Sequence, residues 1–474
     1  MGLFKAYDVR GIVPDQLNAP VAFGIGYGFA KLLGEDSEHP HVVVAIDARP
    51  SGPEIAAAFM DGLATGGAKA EFVGPCSTPM LYWAVAGRDN PAQGGAMITA
   101  SHNPAKYNGI KFCREDAIPI AYDTGLTEIE ELAKAAPEPP AKWAAQPSVN
   151  LLAVPEEAPG ESDETPIATP FGFSPAAFQG YLRHIRHFVK RTPDKLKVAV
   201  DSANGMGGIY LGLLRSLGLE LVSINTQLDG TFPNHEANPS KLENLKPLCE
   251  LVKREGCRLG IAFDGDADRA VFVDETATPV GQDMITALIG QELLKRHKGA
   301  AVLYDLRSSR AVADVIEAAG GRALRERVGH SFMKATMRKV GCVFGGELAG
   351  HYYFKENYYA DSSIIAVIEV LNAMGLSGEP LSELIKPIKR YAQTGEINFK
   401  VKDKDAVFKK VEEEFKDGEI DHLDGVTVNY PEWWFNLRAS NTEPLVRLNL
   451  EASTREQLQE KFKQVSALIG EPVE

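Results

Sequence analysis

The chain has 474 residues, of which 44% are hydrophobic and 24% charged, and its formal net charge is −14. This length and composition predict a globular protein of three or four domains with several apolar cores. The acidic balance argues against nucleic-acid binding, which depends on clustered Lys and Arg side chains. The sequence has no apolar stretch of about 18 residues, so we expect no membrane span.

Five cysteines are scattered along the sequence, and none of them forms a CxxC pair. An odd number of isolated cysteines without a signal peptide is typical of a reducing compartment, and we therefore expect a cytoplasmic protein. The pattern does not distinguish a monomer from a homodimer.

The first predicted strands precede a polar turn that carries a hydroxyl. Residues 42–47 form an apolar strand that ends in aspartate, and residues 94–98 form a second one. The Ser, His, Asn and Pro residues that follow are turn formers, so we expect Ser101 to lie exposed at a strand end. Lys111, ten residues later, supplies a cation. Such a pair suits a phosphate-handling site, although an ordinary Asx/Pro turn is the alternative.

Residues 137–170 contain eight of the 29 prolines and six acidic residues against one lysine. This composition cannot bury a core and predicts an extended surface linker. Apolar strands that end in aspartate recur at residues 198–201 and 302–305, each before a helix-like segment. Continuous apolar strands that alternate with amphipathic helices predict buried, largely parallel sheets.

We therefore predict an α/β fold: three similar α/β domains with mixed or mostly parallel sheets, plus a smaller C-terminal α+β lid domain, around a central cleft. The strand and helix pattern after about residue 391 predicts the smaller domain, and a phosphate-binding segment there suggests a mobile lid. The predicted boundaries are 1–136 for domain 1, 137–170 for the linker, 171–277 for domain 2, 278–390 for domain 3 and 391–474 for the C-terminal domain.

An apolar strand at residues 259–263 leads into three carboxylates at alternate positions, Asp264, Asp266 and Asp268. A hard divalent cation with oxygen ligands, such as Mg²⁺, best offsets this much negative charge. An EF-hand is disfavoured because Arg269 occupies the sixth position, where the loop needs glycine. The segment predicts a metal site, with a solvated acidic turn as the alternative.

Two later segments are rich in ligand-binding residue types. In residues 345–351, glycines allow close backbone approach, and Glu347 and His351 offer hydrogen bonds that suit sugar hydroxyls. Residues 436–447 place hydroxyl and amide donors between two strands, which predicts an anion nest unless the segment is an ordinary polar turn. The arginines that bracket this nest are Arg438 and Arg447.

The order and the sequences of these segments resemble the motifs of the phosphohexomutase family, and the resemblance extends over essentially the whole chain. Members carry a phosphoserine in a T-A-S-H-N-P loop, a D-G-D-x-D-R magnesium loop, a G-E-x-S-G-H sugar loop and an R-x-S-N-T-x-P phosphate loop. The resemblance implies phosphorylation of Ser101 and one Mg²⁺ per chain. The ligands of this ion would be Ser101, Asp264, Asp266 and Asp268.

The resemblance also implies a set of substrate contacts. The opening Phe4–Gly11 is similar to the family's F-R-A-Y-D-I-R-G, which places Tyr7 and Arg10 at the cleft. Ala349 stands where most members have serine, so a hydroxyl contact to the sugar is absent. The expected substrate contacts are Tyr7, Arg10, His102, Glu347, Ala349, His351, Arg438, Ser440, Asn441, Thr442 and Arg447.

By the same resemblance, the expected activity interconverts hexose 6-phosphate and hexose 1-phosphate through the phosphoserine and a hexose 1,6-bisphosphate, which also acts as activator. We expect mannose phosphate first and glucose phosphate second. Phosphoglucosamine mutase and phosphoglucomutase are the enzyme alternatives, and a catalytically silent phosphosugar-binding protein is the non-enzyme alternative. Either Lys111 or His330 could act as the general base. The alternative for His330 is a structural histidine that caps a helix. The expected catalytic residues are Ser101, Lys111, Arg269 and His330.

Overall fold

The computed structural model describes residues 2–140, 174–439 and 445–473. The predicted linker lies almost entirely outside these ranges. None of the helices in the described part of the chain combines the length and the apolar character that a membrane crossing requires. The chain divides into two compact units, of which one comprises Met1–Gly281 with Ala349–Ser382 and the other Gln282–Leu348 with Glu383–Glu474.

The first unit begins with a five-stranded mixed sheet. Its elements are β1 (Val9–Ile12), α1 (Ala19–Leu33), β2 (His41–Ile46), α2 (Gly52–Gly66), β3 (Lys69–Pro75), α3 (Thr78–Ala86), β4 (Gly94–Ile98), β5 (Tyr107–Arg114) and α4 (Leu126–Lys134). The strand order is β1-β5-β4-β2-β3. β2 runs parallel to β3 and β4, whereas β5 is antiparallel to β4 and β1.

Helices α1 and α2 cross at glycines. A Cβ atom on Gly26 would lie 2.1 Å from the carbonyl oxygen of Phe59, and one on Gly62 would lie 2.0 Å from that of Phe23. Only glycine permits this approach, because any larger side chain would push the two backbones apart. Gly26 and Gly62 thus allow direct backbone contact between α1 and α2, whereas Gly24 and Gly28 of α1 lie against α4.

A second five-stranded sheet follows in the same unit. Its elements are α5 (Pro175–Arg186), β6 (Lys197–Asp201), α6 (Leu211–Ser216), β7 (Glu220–Ile224), α7 (Leu242–Glu255), β8 (Leu259–Phe263), β9 (Ala270–Asp274) and β10 (Pro279–Val280). The strand order is β10-β9-β8-β6-β7. β6 is parallel to β7 and β8, and β9 is antiparallel to β8 and β10. The sheet is therefore mixed like the first, with β8 and β9 joined as a hairpin.

The second unit contains another set of alternating helices and strands. It consists of α8 (Gln282–Arg296), β11 (Ala301–Asp305), α9 (Arg310–Ala318), β12 (Arg322–Glu326), α10 (His330–Val340) and β13 (Phe344–Gly346). β11 is parallel to both β12 and β13. The three predicted strands that lead to an aspartate are thus confirmed as β2, β6 and β11.

The chain then contributes three elements to the first unit, β14 (Tyr352–Phe354), β15 (Ala360–Asp361) and α11 (Ser363–Ser377), before the short α12 (Leu381–Ile385). β14 and β15 are antiparallel. α11 is mostly apolar and largely buried, and the hydroxyl of Ser363 at its start donates to the carbonyl oxygen of Ala267 at 2.6 Å. This bond ties the start of α11 to the loop after β8.

The C-terminal part of the second unit is an antiparallel sheet with two helices, as predicted. The elements are β16 (Ala392–Lys400), α13 (Lys404–Glu414), β17 (Glu419–Asp421), β18 (Val426–Asn429), β19 (Trp433–Ala439), β20 (Leu445–Ala452), α14 (Arg455–Ile469) and β21 (Pro472–Val473). The strand order is β17-β18-β19-β20-β16-β21. The Thr454 side chain caps α14 by accepting a hydrogen bond from the Gln457 amide.

Candidate active site

Ser101 lies just after β4 in the left-handed region, with φ of 50°. Its Oγ donates to Asp264 Oδ2 at 2.9 Å and lies 3.1 Å from His102 Nδ1. The expectation of an exposed serine is wrong, because Ser101 is only 2% exposed. The cause is direct loop packing: a Cβ atom on Gly265 would lie 2.4 Å from the Ser101 carbonyl oxygen. The hydroxyl is therefore held against the acidic loop.

Asp264, Asp266 and Asp268 are buried in the loop between β8 and β9, and one oxygen from each lies within 4.8 Å of the others. Lys111 on β5 places its Nζ 2.7 Å from Asp266 Oδ2 and 2.6 Å from Asp268 Oδ2. Arg269 Nε is 3.8 Å from Asp264 Oδ2. Two cations thus face three carboxylates, which leaves an excess of negative charge.

This charge shifts the pKa values of the acidic loop in opposite directions. Burial, and then repulsion from Asp268 and Asp266, raises the pKa of Asp264 well above its usual range. Burial also disfavours the charged form of Asp268, but Lys111 and His351 hold its pKa well below the usual range. The pKa of Lys111 is raised despite its burial, because Asp266 and Asp268 stabilise the ammonium. Ionising all three carboxylates is therefore unfavourable without a further cation.

The donor set fits a hard divalent cation. Among the described residues, the buried Asp266 Oδ1 has no hydrogen-bond partner, and Asp268 Oδ1 has only longer contacts, to His351 Nε2 at 3.5 Å and to Arg269 Nε at 3.9 Å. An unpaired buried carboxylate oxygen is costly unless a donor or a cation lies against it. The three carboxylates and the Ser101 hydroxyl are all oxygen ligands, which Mg²⁺ prefers.

Further cationic and polar groups surround these loops. Arg10 Nη1 donates to Asn103 Oδ1 in the Ser101 loop at 2.9 Å, and its Nη2 donates to Asp8 at 2.5 Å. Arg269 Nε donates to His351 Nε2 at 3.1 Å. The predicted residues Arg10, Arg269 and His351 therefore all lie at the two loops.

The remaining predicted residues of this unit are less closely tied to the acidic loop. Burial and the nearby cations Arg269 and Arg10 hold the pKa of His102 well below its usual range, so this imidazole is neutral near pH 7. Tyr7 is half-buried one residue before Asp8. Ala349 is half-buried, and its carbonyl oxygen accepts from Ser240 Oγ at 3.4 Å.

In the second unit, the predicted sugar-binding glutamate is anchored beside the predicted histidine. Glu347 is 2% exposed, and its Oε1 accepts from the backbone amide of Gly329 at 3.1 Å. His330, the next residue, is the first residue of α10. The backbone amide of Leu348 donates to Asp305 Oδ2 at 2.7 Å, which ties the glycine-rich loop to the end of β11.

An arginine cluster lies across β19, β20 and β16. Arg438 and Arg447 are directly paired across the two strands. Arg438 Nη2 donates to Glu396 Oε2 at 2.7 Å, Arg447 Nη1 is 3.3 Å from Glu396 Oε1, and Arg307 Nη1 is 3.7 Å from Glu396 Oε2. Glu396 is half-buried, and although partial burial acts in the opposite direction, these arginines lower its pKa. We define Arg307, Glu396, Arg438 and Arg447 as the arginine cluster.

The arginine cluster retains donors for an anion. Asp305 pairs with Arg307 at 2.7 Å, so two carboxylates face three guanidinium groups. Within the described residues, Arg438 Nε and Arg447 Nε are buried and have no acceptor. The predicted phosphate contacts Ser440, Asn441 and Thr442 lie outside the described residues, between β19 and β20.

Two arginines at the site, Arg49 and Arg307, were not predicted from the sequence, although a repeated Asp-x-Arg pattern marks both. Arg49 and Arg307 each stand two positions after the aspartate that follows a buried strand, and each donates its backbone amide to that aspartate. An Asp-x-Arg repeat was therefore visible in the sequence. Thr78 was also missed: its Oγ1 donates to Asp266 Oδ2 at 2.6 Å, and no short motif marks it.

Comparisons with known proteins agree with this arrangement. Family models described as phosphoglucomutase/phosphomannomutase domains I, II and III and C-terminal domain match residues 1–139, 179–278, 281–391 and 396–468. The chain is 37% identical to a phosphomannomutase of Methanocaldococcus jannaschii, covering 99% of this chain and 97% of that protein. It is 34% identical to a phosphoglucomutase of Neisseria gonorrhoeae, with 98% and 96% covered.

A solved structure leads to the same assignment. A phosphoglucomutase/phosphomannomutase family protein from Burkholderia thailandensis superposes with a TM-score of 0.83 at 30% identity, covering 98% of this chain and 97% of that one. The four matched domains together span most of the sequence, and the relatives match over nearly their full length. The chain therefore belongs to the phosphoglucomutase/phosphomannomutase family.

Proposed function

We propose that this chain is a phosphohexomutase that interconverts hexose 6-phosphate and hexose 1-phosphate. Mannose phosphate is the proposed preferred substrate, and glucose phosphate is a further substrate. The observation that carries this proposal is the contact between Ser101 Oγ and Asp264 Oδ2 at 2.9 Å, within a cluster of three buried carboxylates. Relatives named phosphomannomutase and phosphoglucomutase support both sugars.

Ser101 is the proposed carrier of the phosphoryl group. A sugar hydroxyl accepts this group, and the resulting bisphosphate returns its other phosphate to Ser101. Lys111 and Arg269 stabilise the charge that spreads over the transferring oxygens. Asp264, Asp266, Asp268 and Ser101 would hold one Mg²⁺, which supplies further stabilisation of this charge when bound. Free hexose 1,6-bisphosphate acts as activator because it rephosphorylates Ser101.

The phosphate that is not transferred is the proposed ligand of the arginine cluster. Arg438 and Arg447 present buried Nε donors, and a bidentate guanidinium matches the geometry of phosphate oxygens. Glu347 and His351 are the proposed partners of the sugar hydroxyls. His330 is the proposed group that takes the proton from the attacking hydroxyl. Lys111, the other candidate, stays protonated, because Asp266 and Asp268 raise its pKa despite its burial.

The alternatives differ in chemistry that is open to test. Ala349 offers no side-chain hydroxyl to the sugar, which keeps phosphoglucomutase and phosphoglucosamine mutase as enzyme alternatives. A catalytically silent phosphosugar-binding protein needs neither a nucleophile nor a metal site, yet Ser101 and the carboxylates are in contact. A cytoplasmic location remains a prediction, and five unpaired thiols support it.

The nucleophile is tested by intact mass and turnover. Wild-type protein incubated with glucose 1,6-bisphosphate should gain one phosphate, and Ser101→Ala should gain none and lose nearly all turnover. Ser216→Ala, which removes a hydroxyl at the end of α6 that hydrogen-bonds to Arg186 and to the Leu213 carbonyl oxygen, is the matched control and should keep both properties. Near-normal turnover of Ser101→Ala at an unchanged melting temperature would refute the phosphoserine mechanism.

The substrate is tested by coupled assays with mannose, glucose and glucosamine 1-phosphates. We expect the highest kcat/KM with mannose 1-phosphate and measurable turnover with glucose 1-phosphate. Faster turnover of glucosamine 1-phosphate would instead favour the phosphoglucosamine mutase alternative. Binding of all three sugars without turnover would favour the silent binding protein.

A further inference from the structure

Arg49 is a fully buried arginine that the proposed chemistry does not use. It lies after β2, and its two terminal nitrogens reach into the loop that carries Ser101. Nη2 and Nη1 each donate to two backbone carbonyl oxygens of that loop, at distances between 2.7 and 3.0 Å. These oxygens belong to Ser101 and Asn103 for Nη2, and to Pro104 and Tyr107 for Nη1.

The fifth donor of Arg49 is also satisfied. Nε donates to Asp47 Oδ2 at 3.0 Å, and the same oxygen accepts from Thr99 Oγ1 at 2.7 Å. Thr99 Oγ1 in turn accepts from the Ser101 amide at 2.8 Å. Arg49 therefore holds the Ser101 carbonyl directly, and the Asp47–Thr99 pair holds the Ser101 amide.

Arg49 does not face a ligand. Its guanidinium lies 5.1 Å from the ring centroid of Phe232, in the loop after β7. A Cβ atom on Gly230 in that loop would lie 2.4 Å from the Arg49 Cα. With 0% exposure, the guanidinium cannot reach a sugar phosphate, and any role in catalysis must act through Ser101.

The four carbonyl contacts have a specific electrostatic consequence. A carbonyl oxygen is the negative end of a peptide dipole, and it would repel a phosphoryl group. A guanidinium that draws four of these oxygens toward the interior keeps them away from the Ser101 hydroxyl. It also holds Ser101 at a positive φ of 50°, which a serine adopts only when its surroundings impose it.

We propose that Arg49 is a positioning residue that holds the Ser101 loop in the geometry required for phosphoryl transfer, an inference that rests on the proposed mutase function. All five N–H donors of the guanidinium are used, in the fixed fork that arginine alone provides. A lysine at this position preserves the charge beside Asp47 but has only three donors, so it cannot hold all four carbonyl groups.

Arg49→Lys tests the proposal because it keeps Asp47 paired and the protein folded. We expect kcat to fall by about tenfold to a hundredfold, since a small misplacement of a reacting group has effects of this size. KM for the sugar phosphate should be unchanged, because Arg49 contacts no ligand. Arg88→Lys is the matched control: Arg88 pairs with Glu71 through two nitrogens in the same domain, and its variant should keep wild-type kcat.

A second variant and an activity-independent measurement complete the test. Arg49→Ala should be restored toward wild-type kcat by millimolar guanidinium ion, and Arg88→Ala should not respond. Amide exchange of residues 101–107 should be faster in Arg49→Lys than in wild type, whether or not the protein is a mutase. Absence of phosphoserine in the wild type would refute the proposed function, whereas wild-type kcat and wild-type exchange in Arg49→Lys would overturn the role of Arg49.

Discussion

The carboxylates of the acidic loop are oriented one oxygen at a time. Asp266 Oδ2 accepts from both Thr78 Oγ1 and Lys111 Nζ, and Asp268 Oδ2 accepts from Lys111 Nζ. Within the described ranges, Asp266 Oδ1 has no hydrogen-bond partner, and Asp268 Oδ1 has only the longer contacts to His351 and Arg269. Protein donors thus fix one oxygen of each side chain and leave the other available for a cation. Such pre-orientation reduces the reorganisation that binding requires.

Removing one of these carboxylates should abolish the response to magnesium. We expect Mg²⁺ to raise the melting temperature of the wild type, because a ligand at a hundredfold excess over its Kd stabilises by about 2.7 kcal/mol. Asp266→Asn should lose most of this shift, and its activity should be lost or should require far more Mg²⁺. Asp89→Asn, on the surface of the first domain, should behave like the wild type. Full activity in EDTA would contradict the metal site.

Two histidines of the first unit respond to their surroundings in opposite ways. His235 Nε2 lies 2.9 Å from the buried Asp201, and this hydrogen bond raises the pKa of His235. His184 lies 2.9 Å from Asn357 Oδ1, and burial lowers its pKa. The stability that His235 contributes is therefore present below its unfolded pKa and is lost as pH rises through its folded pKa. The contribution of His184 is lost as pH falls.

The two histidines predict melting-temperature differences of opposite pH dependence. With an unfolded pKa of about 6.5, His235→Gln should destabilise more at about pH 5.5 than at about pH 8.5. His184→Gln should destabilise less at the lower pH. Each variant is the control for the other, and thermal unfolding at the two pH values measures both. The same pH dependence in both variants would contradict the assignment of these environments.

At the scale of elements, the motif loops lie in hairpins. The Ser101 loop joins the antiparallel strands β4 and β5, and the acidic loop joins the antiparallel strands β8 and β9. Lys111 lies within β5, and its side chain reaches the acidic loop, where Nζ is 2.7 Å from Asp266 Oδ2. The sequence supported this much, since an apolar run followed by turn residues marks the end of a buried strand.

What the sequence did not reveal depends on contacts between distant segments. Arg49 serves the loop that begins 52 residues later, and Glu396 joins arginines from three other segments. The Asp-x-Arg pattern marks Arg49 at a strand end but does not indicate which loop its side chain contacts, and no pattern in the sequence marks Glu396. Likewise, the burial of Ser101 follows from packing of the Gly265 loop, which local turn chemistry does not encode.

Strands β19 and β20 carry two arginines of the arginine cluster, Arg438 and Arg447, and Arg438 is the most buried arginine of the cluster. Arg438→Ala should raise KM for the sugar phosphate by roughly tenfold to a hundredfold, since a charge-assisted hydrogen bond contributes about 1.5–3 kcal/mol. Calorimetric titration with a sugar bisphosphate should show the same loss of affinity.

Arg455→Ala is the control for Arg438→Ala. Arg455 is exposed at the start of α14, so this variant removes an equal charge from the same domain. It should leave KM near the wild-type value. A wild-type KM in both variants would mean that the phosphate that is not transferred is bound elsewhere. An equal rise in KM in both variants would indicate a general electrostatic effect.

At the scale of the whole molecule, the C-terminal sheet belongs to the same compact unit as residues 282–348. Arg310 at the start of α9 joins the two parts. Its guanidinium donates to the carbonyl oxygens of Tyr430, Pro431 and Trp433, and its backbone amide donates to Glu451. We therefore expect the predicted lid not to move alone, but together with residues 282–348.

A buried polar junction reinforces this connection. Asp283 Oδ2 accepts from the Ser309 amide and from Gln393 Nε2, both at 3.0 Å. Glu451 accepts from the Arg310 amide across the junction at 3.1 Å and from Trp434 Nε1 of its own sheet at 2.8 Å. Burial raises the pKa of both carboxyl groups. Polar contacts of this kind are directional, so they favour one arrangement of the two parts over others.

Arg310→Ala should weaken the junction. Its three carbonyl partners would lose their donor, at a cost on the order of 1–3 kcal/mol. Arg325→Ala is the matched control, because Arg325 pairs with Asp421 across the same two parts but is partly exposed, and it should cost about 0–1 kcal/mol. Amide exchange should accelerate throughout β16 and β18–β20 in Arg310→Ala, while β11 and β12 keep wild-type protection. Equal protection of the C-terminal sheet in both variants would show that the apolar contacts hold the two parts together without Arg310.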